Sequence, residues 1–335
     1  MARLRPWLRL GMRLLGPALL LYFLLTNDLR LVGRTLLTTD PWLLALSVAL
    51  VAPFLALKAV RWQLILRAWG ITLPLREAIA LYCIGIYLGV VTPGQAGDAV
   101  KAWYLRQRGY PLSTGLASVV VDRLFDVGIS ALLAASGLYF FWDVLPGGRL
   151  LNVLVVAGLL VAVLIGLALA GNRRLRGFVV QRVLPRVTPR GLRERFAGGG
   201  SGSHLEGLHL TGRQLVIVTL VSLAGLAWTY IRLYLIFLAL HTPIAIGPFI
   251  ATVAILSLVG AASPGGVGTR DLTLILVLSA VLQIPRADAA ARALSLSALL
   301  LLLNIENVLI GFFYSLRYPL AEPPREALAE SQPPV

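Results

Sequence analysis

Asp98, Lys101, Asp122, Arg123, Asp126, Arg270, Asp271 and Glu306 lie within or directly against long apolar runs. Ionisable groups in such a setting are expensive to keep, so they pair with one another or mark a pathway. Two chemistries suit these types. Bases beside free backbone N–H groups at a helix start hold a phosphate-like anion, arginine in bidentate fashion. Acids among apolar neighbours lock such bases in place or carry a proton, because burial disfavours their charged form. Asp122 and Asp126, four apart, share one helix face. They read equally as a pathway or as an Asp–Arg–Asp network holding the structure. Glu306, in LLLNIENVLIG, is the buried acid of the last helix and a candidate carrier of a coupling proton.

The glycines near these groups have a pattern. Thr92-Pro93-Gly94-Gln95-Ala96-Gly97 is followed by Asp98 and Lys101, and Ser263-Pro264-Gly265-Gly266-Val267-Gly268 by Arg270 and Asp271. Each reads hydroxyl, Pro, Gly, any, small or branched, Gly. Pro-Gly pairs are ordinary loop punctuation, but two matching breaks inside apolar regions are a stronger signal. Glycine lets a ligand approach the backbone closely. A helix starting at Gly97 or Gly268 would present free N–H groups and a partial positive charge. Gly94, Gly97, Gly265, Gly266 and Gly268, with Lys101, Arg123 and Arg270, are therefore the candidate anion-binding residues. The alternative for Asp98 and Asp271 is capping of those same helix starts or ion pairing.

These residues must be positioned by membrane helices. The chain has 335 residues, is 58% hydrophobic and only 13% charged, with a mean hydropathy of +0.83. Soluble domains carry roughly 25% charged residues. Several apolar runs approach or exceed the about 18–20 residues needed to cross a bilayer, and none shows the short alternating segments of a β-barrel. The net charge of +15, almost all arginine, fits cytoplasmic loops and anionic lipid headgroups rather than nucleic acid. Cys83 is the lone cysteine, so no intramolecular disulfide forms.

Arg3, Arg5, Arg9 and Arg13 precede an uncleaved first helix from Leu14 to about Leu25, which predicts a cytoplasmic N-terminus. A second helix, about Trp42 to Leu57, returns to Lys58, Arg61 and Arg67. The run Ala78 to Val91 has bases on both flanks, Arg76 before it and Lys101, Arg106 and Arg108 after. A re-entrant hairpin broken at Thr92–Gly97 and leaving along Asp98–Gln107 keeps both clusters on one side. Spans follow at Ser113–Trp142, about Leu150–Ala170, Gln214–Leu240 and about Ala289–Ser315. The run Ile244–Ile284, broken at SPGGVGTRD, forms a second hairpin from the opposite face. Arg61 with Trp62 reads as an interfacial anchor, and Arg232 as a base snorkelling to headgroups. His204 and His209 beside the flexible AGGGSGSHLEG stretch are a weak metal signal, and no metal or other cofactor is expected.

The expected fold is thus an all-α multi-pass membrane protein of about six full transmembrane helices plus two re-entrant broken-helix hairpins. It forms a single membrane domain over 1–320, with repeat one at about 42–142, repeat two at about 213–316, a basic cytoplasmic loop at 171–212 and a disordered cytoplasmic tail at 321–335. Helix, broken hairpin, helix in opposite topological senses is the pattern of inverted repeats.

The motifs resemble those of the lysylphosphatidylglycerol synthase transmembrane-region family, also described as flippase-like. Its Pro-x-x-x-Gly-Glu-x-x-Arg signature is matched by Pro93, Gly97, Asp98 and Lys101. Its Glu-Arg-x-x-Asp is matched by Asp122, Arg123 and Asp126. Its Pro-Gly-Gly-x-Gly-x-Arg-Glu is matched by Pro264, Gly265, Gly266, Gly268, Arg270 and Asp271. All three glutamates are aspartates here and one arginine is lysine, so charge is kept and reach shortened. The resemblance implies movement of an anionic or aminoacylated phospholipid, or a polyprenyl-phosphate-linked lipid, across the cytoplasmic membrane. The headgroup would be held between two opposed half-helices. The longer relatives carry a soluble synthase domain, and none is expected after the last helix here. Membrane lipids are the expected partners, and a separately encoded lipid synthase is a candidate.

Three function classes remain in view: a transporter, an integral-membrane glycosyl or phosphoryl transferase acting on polyprenyl phosphate, and a non-transporting partner of a synthase. The loop Arg173–Arg195 lacks the acidic pairs a Mg²⁺ site wants, and no Walker pattern is present. The expectation is a protein that is not an enzyme and is not driven by its own ATPase.

Overall fold

A computed structural model describes residues 29–141, scattered positions between 150 and 168, and residues 208–260 and 269–318. The expected first helix, the basic loop, the tail, and the second break with Gly265, Gly266 and Gly268 lie outside the described residues. Among the described residues every regular element is helical. They are α1 (Leu29–Thr38), α2 (Pro41–Ala49), α3 (Val51–Ala68), α4 (Leu75–Val91), a 3-10 segment (Pro93–Ala99), α5 (Val100–Gln107), α6 (Leu112–Phe141), α7 (Gly212–Ala239), α8 (Ile246–Gly260), α9 (Thr269–Val281) and α10 (Arg286–Arg317).

Local chemistry sets the ends. Asp40 caps α2, its carboxylate accepting from the N–H groups of Trp42 and Leu43, with Pro41 as the first helical residue. Thr211 and Gln214 form a capping box at the start of α7. Between them the apolar spacing does the rest, since backbone polar groups without water must bond within their own helix. Three helical stretches are long and apolar enough to cross a membrane: Pro41–Ala68, Gly212–Ala239 and Arg286–Arg317. α6 matches them in length with 30 residues but carries Asp122, Arg123 and Asp126.

One boundary is corrected. The helix expected to end near Leu57 runs on to Ala68, so Lys58 and Arg61 are inside it rather than flanking it. They are tolerated there because acids on α6 meet them.

α4, the 3-10 segment and α5 make a hairpin. α4 has 17 residues, and the return limb has 7 residues of 3-10 helix and 8 of α-helix. At their respective rises both limbs are about 26 Å long. The two ends therefore finish level, and Arg108 Nη2 bonds Glu77 Oε1 at 2.5 Å across the base. Tyr104 on α5 donates to the carbonyl of Tyr318, just past α10, at 2.5 Å. The end of α10 thus lies on the same face. The opposite face joins the N–H of Asp40 to the carbonyl of Ala239 at 3.0 Å.

The helices pack reciprocally. α4 of the first hairpin leans on α10, α8 of the second half leans on α6, and α3 and α7 pack on each other. One buried core joins α3, α4 and α5 through Trp62, Leu66, Tyr82 and Tyr104. Another joins α7 to α10 through Phe237, Phe249, Leu278 and Leu299.

Candidate functional site

Two buried polar assemblies emerge, one in each half. The first is an ion network between α3, the hairpin and α6. Arg61 is its centre. Its Nε lies 2.7 Å from Asp122 Oδ1, its Nη1 2.6 Å from Asp126 Oδ1, and its Nη2 3.0 Å from Asp126 Oδ2. Lys58 also bonds Asp126. Lys101 Nζ lies 2.9 Å from Asp98 Oδ1 and 3.3 Å from Asp122 Oδ2. Its ammonium is 4.2 Å from the Tyr82 ring centre and 5.2 Å from that of Trp62. Arg123 closes the chain, with Nη2 2.7 Å from Asp98 Oδ2 and Nη1 on Gln95 Oε1. Tyr82 donates to Asp122 Oδ2 at 3.2 Å.

The structure therefore brings together Asp98, Lys101, Asp122, Arg123 and Asp126 from the sequence prediction, and adds Lys58, Arg61 and Tyr82. Arg61 is not an interfacial anchor: its side chain is 1% exposed and fully engaged by carboxylates. Trp62 beside it is buried and donates to Ser118. A signal for this was present in composition. Of the 30 bases only Lys58 and Lys101 are lysines, and both stand in this network. Lys58 meets Asp126, and the compact ammonium of Lys101 lies between two carboxylates and against two aromatic rings.

The hairpin tip also departs from expectation. The α-helix of the return limb begins at Val100, and Gly97 sits inside the 3-10 segment. Its N–H is taken by Thr92 Oγ1 at 2.6 Å. A Cβ at Gly97 would lie 2.1 Å from the carbonyl oxygen of Leu88, so this glycine allows the two limbs to touch rather than opening toward a ligand. A Cβ at Gly85 would lie 2.3 Å from Asp98 Oδ1. Asp98 caps nothing. Its carboxylate is 1% exposed and spans Lys101 and Arg123. Gln95, which receives Arg123, has φ +56°, a region a non-glycine residue adopts at some expense. Gly94 lies in the same 3-10 segment.

The second assembly is a cavity of about 240 Å³ where α3, α7, α8, α9 and α10 meet. Arg232, Arg270, Asn304 and Asn307 line it, with Thr229 and Ser257. Phe54, Phe237, Leu256 and Leu300 supply apolar wall. A mainly apolar concavity with a few convergent polar groups is the usual form of a ligand site. Arg232 is 4% exposed and does not snorkel. Its Nε donates to the carbonyl of Ser47 at 2.8 Å and its Nη2 bonds Glu306. Arg270 donates to Ser297, with Nη2 3.1 Å from the carbonyl oxygen and Nε 3.4 Å from Oγ. Ser297 in turn donates to Asp271. Asn307 Oδ1 is buried with no hydrogen-bond partner. Of the predicted residues, Arg270, Asp271 and Glu306 thus belong to this second assembly rather than to the first.

Comparison with known proteins agrees with the motifs. The chain is 23% identical over 282 residues to the UPF0104 membrane protein MJ1595 of Methanocaldococcus jannaschii, covering 77% of this chain and 80% of that one. It is 25% identical over 251 residues to a UPF0104 membrane protein of Methanothermobacter thermautotrophicus, covering 72% and 74%. A shorter match, 29% over 138 residues, links it to the glycosyltransferase AglD of Haloferax volcanii, covering 40% of this chain and 17% of that protein. The family model described as lysylphosphatidylglycerol synthase TM region matches residues 9–305. With most of its length matched and its helices carrying the family's charged motifs, this membrane protein belongs to the lysylphosphatidylglycerol synthase transmembrane-region family.

Proposed function

We propose that the protein is a flippase-like transporter that carries a phosphate-bearing lipid headgroup through the cytoplasmic membrane, using the cavity beside Arg232 and Arg270 as the headgroup site. The observation that carries this reading is the cavity itself: two arginines and two asparagines, with Thr229 and Ser257, facing a small space whose remaining walls are apolar. A lipid needs that combination, because its headgroup must be received away from bulk water while its chains stay among apolar side chains. The ion network of the first half then serves as a frame. Its bases are already met by Asp98, Asp122 and Asp126.

The reciprocal packing of α4 on α10 and α8 on α6 supports the inverted-repeat reading, in which each hairpin is braced by the last helix of the other half. Arg67, Arg76, Arg106, Arg108, Arg213 and Arg317 gather at the helix ends on the face where the first hairpin has its base. The excess of bases there supports a cytoplasmic position for that face and for the end of α10 that leads into the C-terminal tail.

The test is transfer of labelled phosphatidylglycerol across proteoliposomes, read by headgroup accessibility in the two leaflets. Arg270→Ala is expected to lower the rate at least tenfold with the protein still folded. Full activity in that variant overturns the site. The match to AglD favours one other reading, a membrane transferase acting on a polyprenyl phosphate. Turnover of a polyprenyl-phosphate sugar by the purified protein, with no lipid transfer, would establish it in place of transport.

A further inference from the structure

Arg232 of the cavity lining is already paired with an anion of the protein's own. Glu306 on α10 bonds Arg232 on α7, and the two side chains are 14% and 5% exposed. Arg232 is otherwise held in place by the Ser47 carbonyl at 2.8 Å and by the Phe54 ring, 5.8 Å from its guanidinium carbon. Two contacts besides Glu306 therefore hold it. Arg270 forms its hydrogen bonds with the neutral groups of Ser297.

An incoming phosphate oxygen would complement both guanidinium groups, which favour charge-assisted, paired hydrogen bonds. It would also stand next to the Glu306 carboxylate, and two anions sharing a buried site cannot both stay ionised without a large penalty. Protonation of Glu306 removes that conflict and releases Arg232.

Among the described residues the neighbours of Glu306 offer no other ready source of compensation. On the elements packed around α10, the charged and titratable groups near this level are Arg232 on α7 and Arg270 and Asp271 on α9, the last two engaged at Ser297. Cys83 and Tyr87 on α4 lie against Gly311. Arg34 on α1 is exposed. Beyond Phe54, α3 carries Lys58, which is held by Asp126.

The remaining lining narrows the ligand. Asn307 Oδ1 is an unsatisfied buried acceptor that a hydroxyl would satisfy. Among the described residues no acid lines the cavity to receive an ammonium group, and Glu306 bonds Arg232 from outside that lining. At about 240 Å³ the space is below the several hundred Å³ typical of drug-sized sites, which suits one small headgroup and not an oligosaccharide.

We propose that the cavity binds a small, hydroxyl-bearing phosphodiester and that Glu306 is the internal anion it displaces. The ligand's single negative charge takes over Arg232 as Glu306 takes up one proton from solvent, so charge and protons balance and occupation of the site is electroneutral. This rests on reading the cavity as the headgroup site. It adds the preferred ligand and the proton.

The experiment uses the full chain in phosphatidylcholine nanodiscs, titrated calorimetrically with glycerophosphoglycerol. Repeating each titration in two buffers of different ionisation enthalpy counts the protons taken up. The expected result is uptake of about one proton per ligand, with affinity falling up to tenfold per pH unit as Glu306 becomes ionised. Glu306→Gln should bind with no proton uptake and no pH dependence, and Arg270→Ala should bind at least tenfold more weakly at every pH. Glycerophosphoethanolamine, which adds an ammonium, should bind at least tenfold more weakly than glycerophosphoglycerol.

Binding to the wild type without proton uptake overturns the exchange while leaving the headgroup site standing, and needs no variant to fold. Unchanged proton uptake in folded Glu306→Gln overturns it too. Inorganic phosphate binding as tightly as glycerophosphoglycerol would make free phosphate the ligand and overturn the diester assignment. Absence of binding by every probe overturns both the exchange and the site.

Discussion

Arg61 on α3 lies with its Nε 2.7 Å from Asp122 Oδ1 on α6, both side chains essentially out of solvent. The pair ties α3 to α6, the longest described helix of the first half. Removing one member of a buried pair leaves the other charge uncompensated, at about 3–5 kcal/mol. Arg61→Ala is therefore expected to lower stability by about that much in thermal or denaturant unfolding of the purified protein. Arg61→Lys should recover only part, because an ammonium cannot contact Asp122 and both oxygens of Asp126 in the same forked geometry. Equal stability of Arg61→Ala and wild type would show that the network is not a frame.

Gly85→Ala places a methyl group on the Asp98 carboxylate, and Gly97→Ala places one on the Leu88 carbonyl. Overpacking of this kind costs about 1–3 kcal/mol. Gly97→Ala should be the more damaging, because a backbone carbonyl cannot rotate away as a carboxylate can. Gly85→Ala should also couple with Asp98→Ala in a double-mutant cycle, the double variant being more stable than the sum of the singles predicts. Additive effects would place Asp98 elsewhere.

The level ends of the first hairpin make a topological prediction. Cysteines introduced at Arg76 and at Gln107 should both react with an impermeant thiol reagent from the same side, and one at Ala287 from the other. Cys83 is 2% exposed and should stay silent, so the native chain serves as the blank. Labelling of Arg76→Cys and Gln107→Cys from opposite sides would mean that the hairpin crosses.

Arg123 and Arg61 separate two kinds of contribution. Arg123 is 27% exposed and bonded to Asp98 and Gln95, whereas Arg61 is 1% exposed. Arg123→Ala should cost less stability than Arg61→Ala in the same unfolding measurement, since water can reach part of what it leaves behind. A larger loss at Arg123 would locate the centre of the network at the hairpin tip instead.

Much of the helical framework is readable without coordinates. The span expected at Ser113–Trp142 is α6, Leu112–Phe141, and that expected at Gln214–Leu240 is α7, Gly212–Ala239. The first hairpin is found at its expected place because Thr92-Pro93-Gly94 ends one helix and bases flank both limbs. The expected end of α3 is wrong for an instructive reason. Lys58 and Arg61 mark a membrane boundary if each charge is taken alone, yet both are interior once Asp122 and Asp126 meet them. The cavity as a whole is not legible, although Arg270 is singled out by its motif, because its lining comes from five helices and no run of neighbouring residues describes it.

Composition and local pattern thus determine which segments are helical, where the first hairpin breaks, and which family the chain belongs to. The cause is local: without water, a backbone must satisfy its own hydrogen bonds, and a Pro-Gly break interrupts that wherever it falls. Only the tertiary structure decides which charges are partners and which face a ligand. Arg61 and Asp122 are 61 positions apart, and Arg232 and Glu306 are 74 apart. A guanidinium buried against a carboxylate and one lining a cavity carry the same charge in similar apolar sequence, and differ only in what packing places within about 3 Å of them.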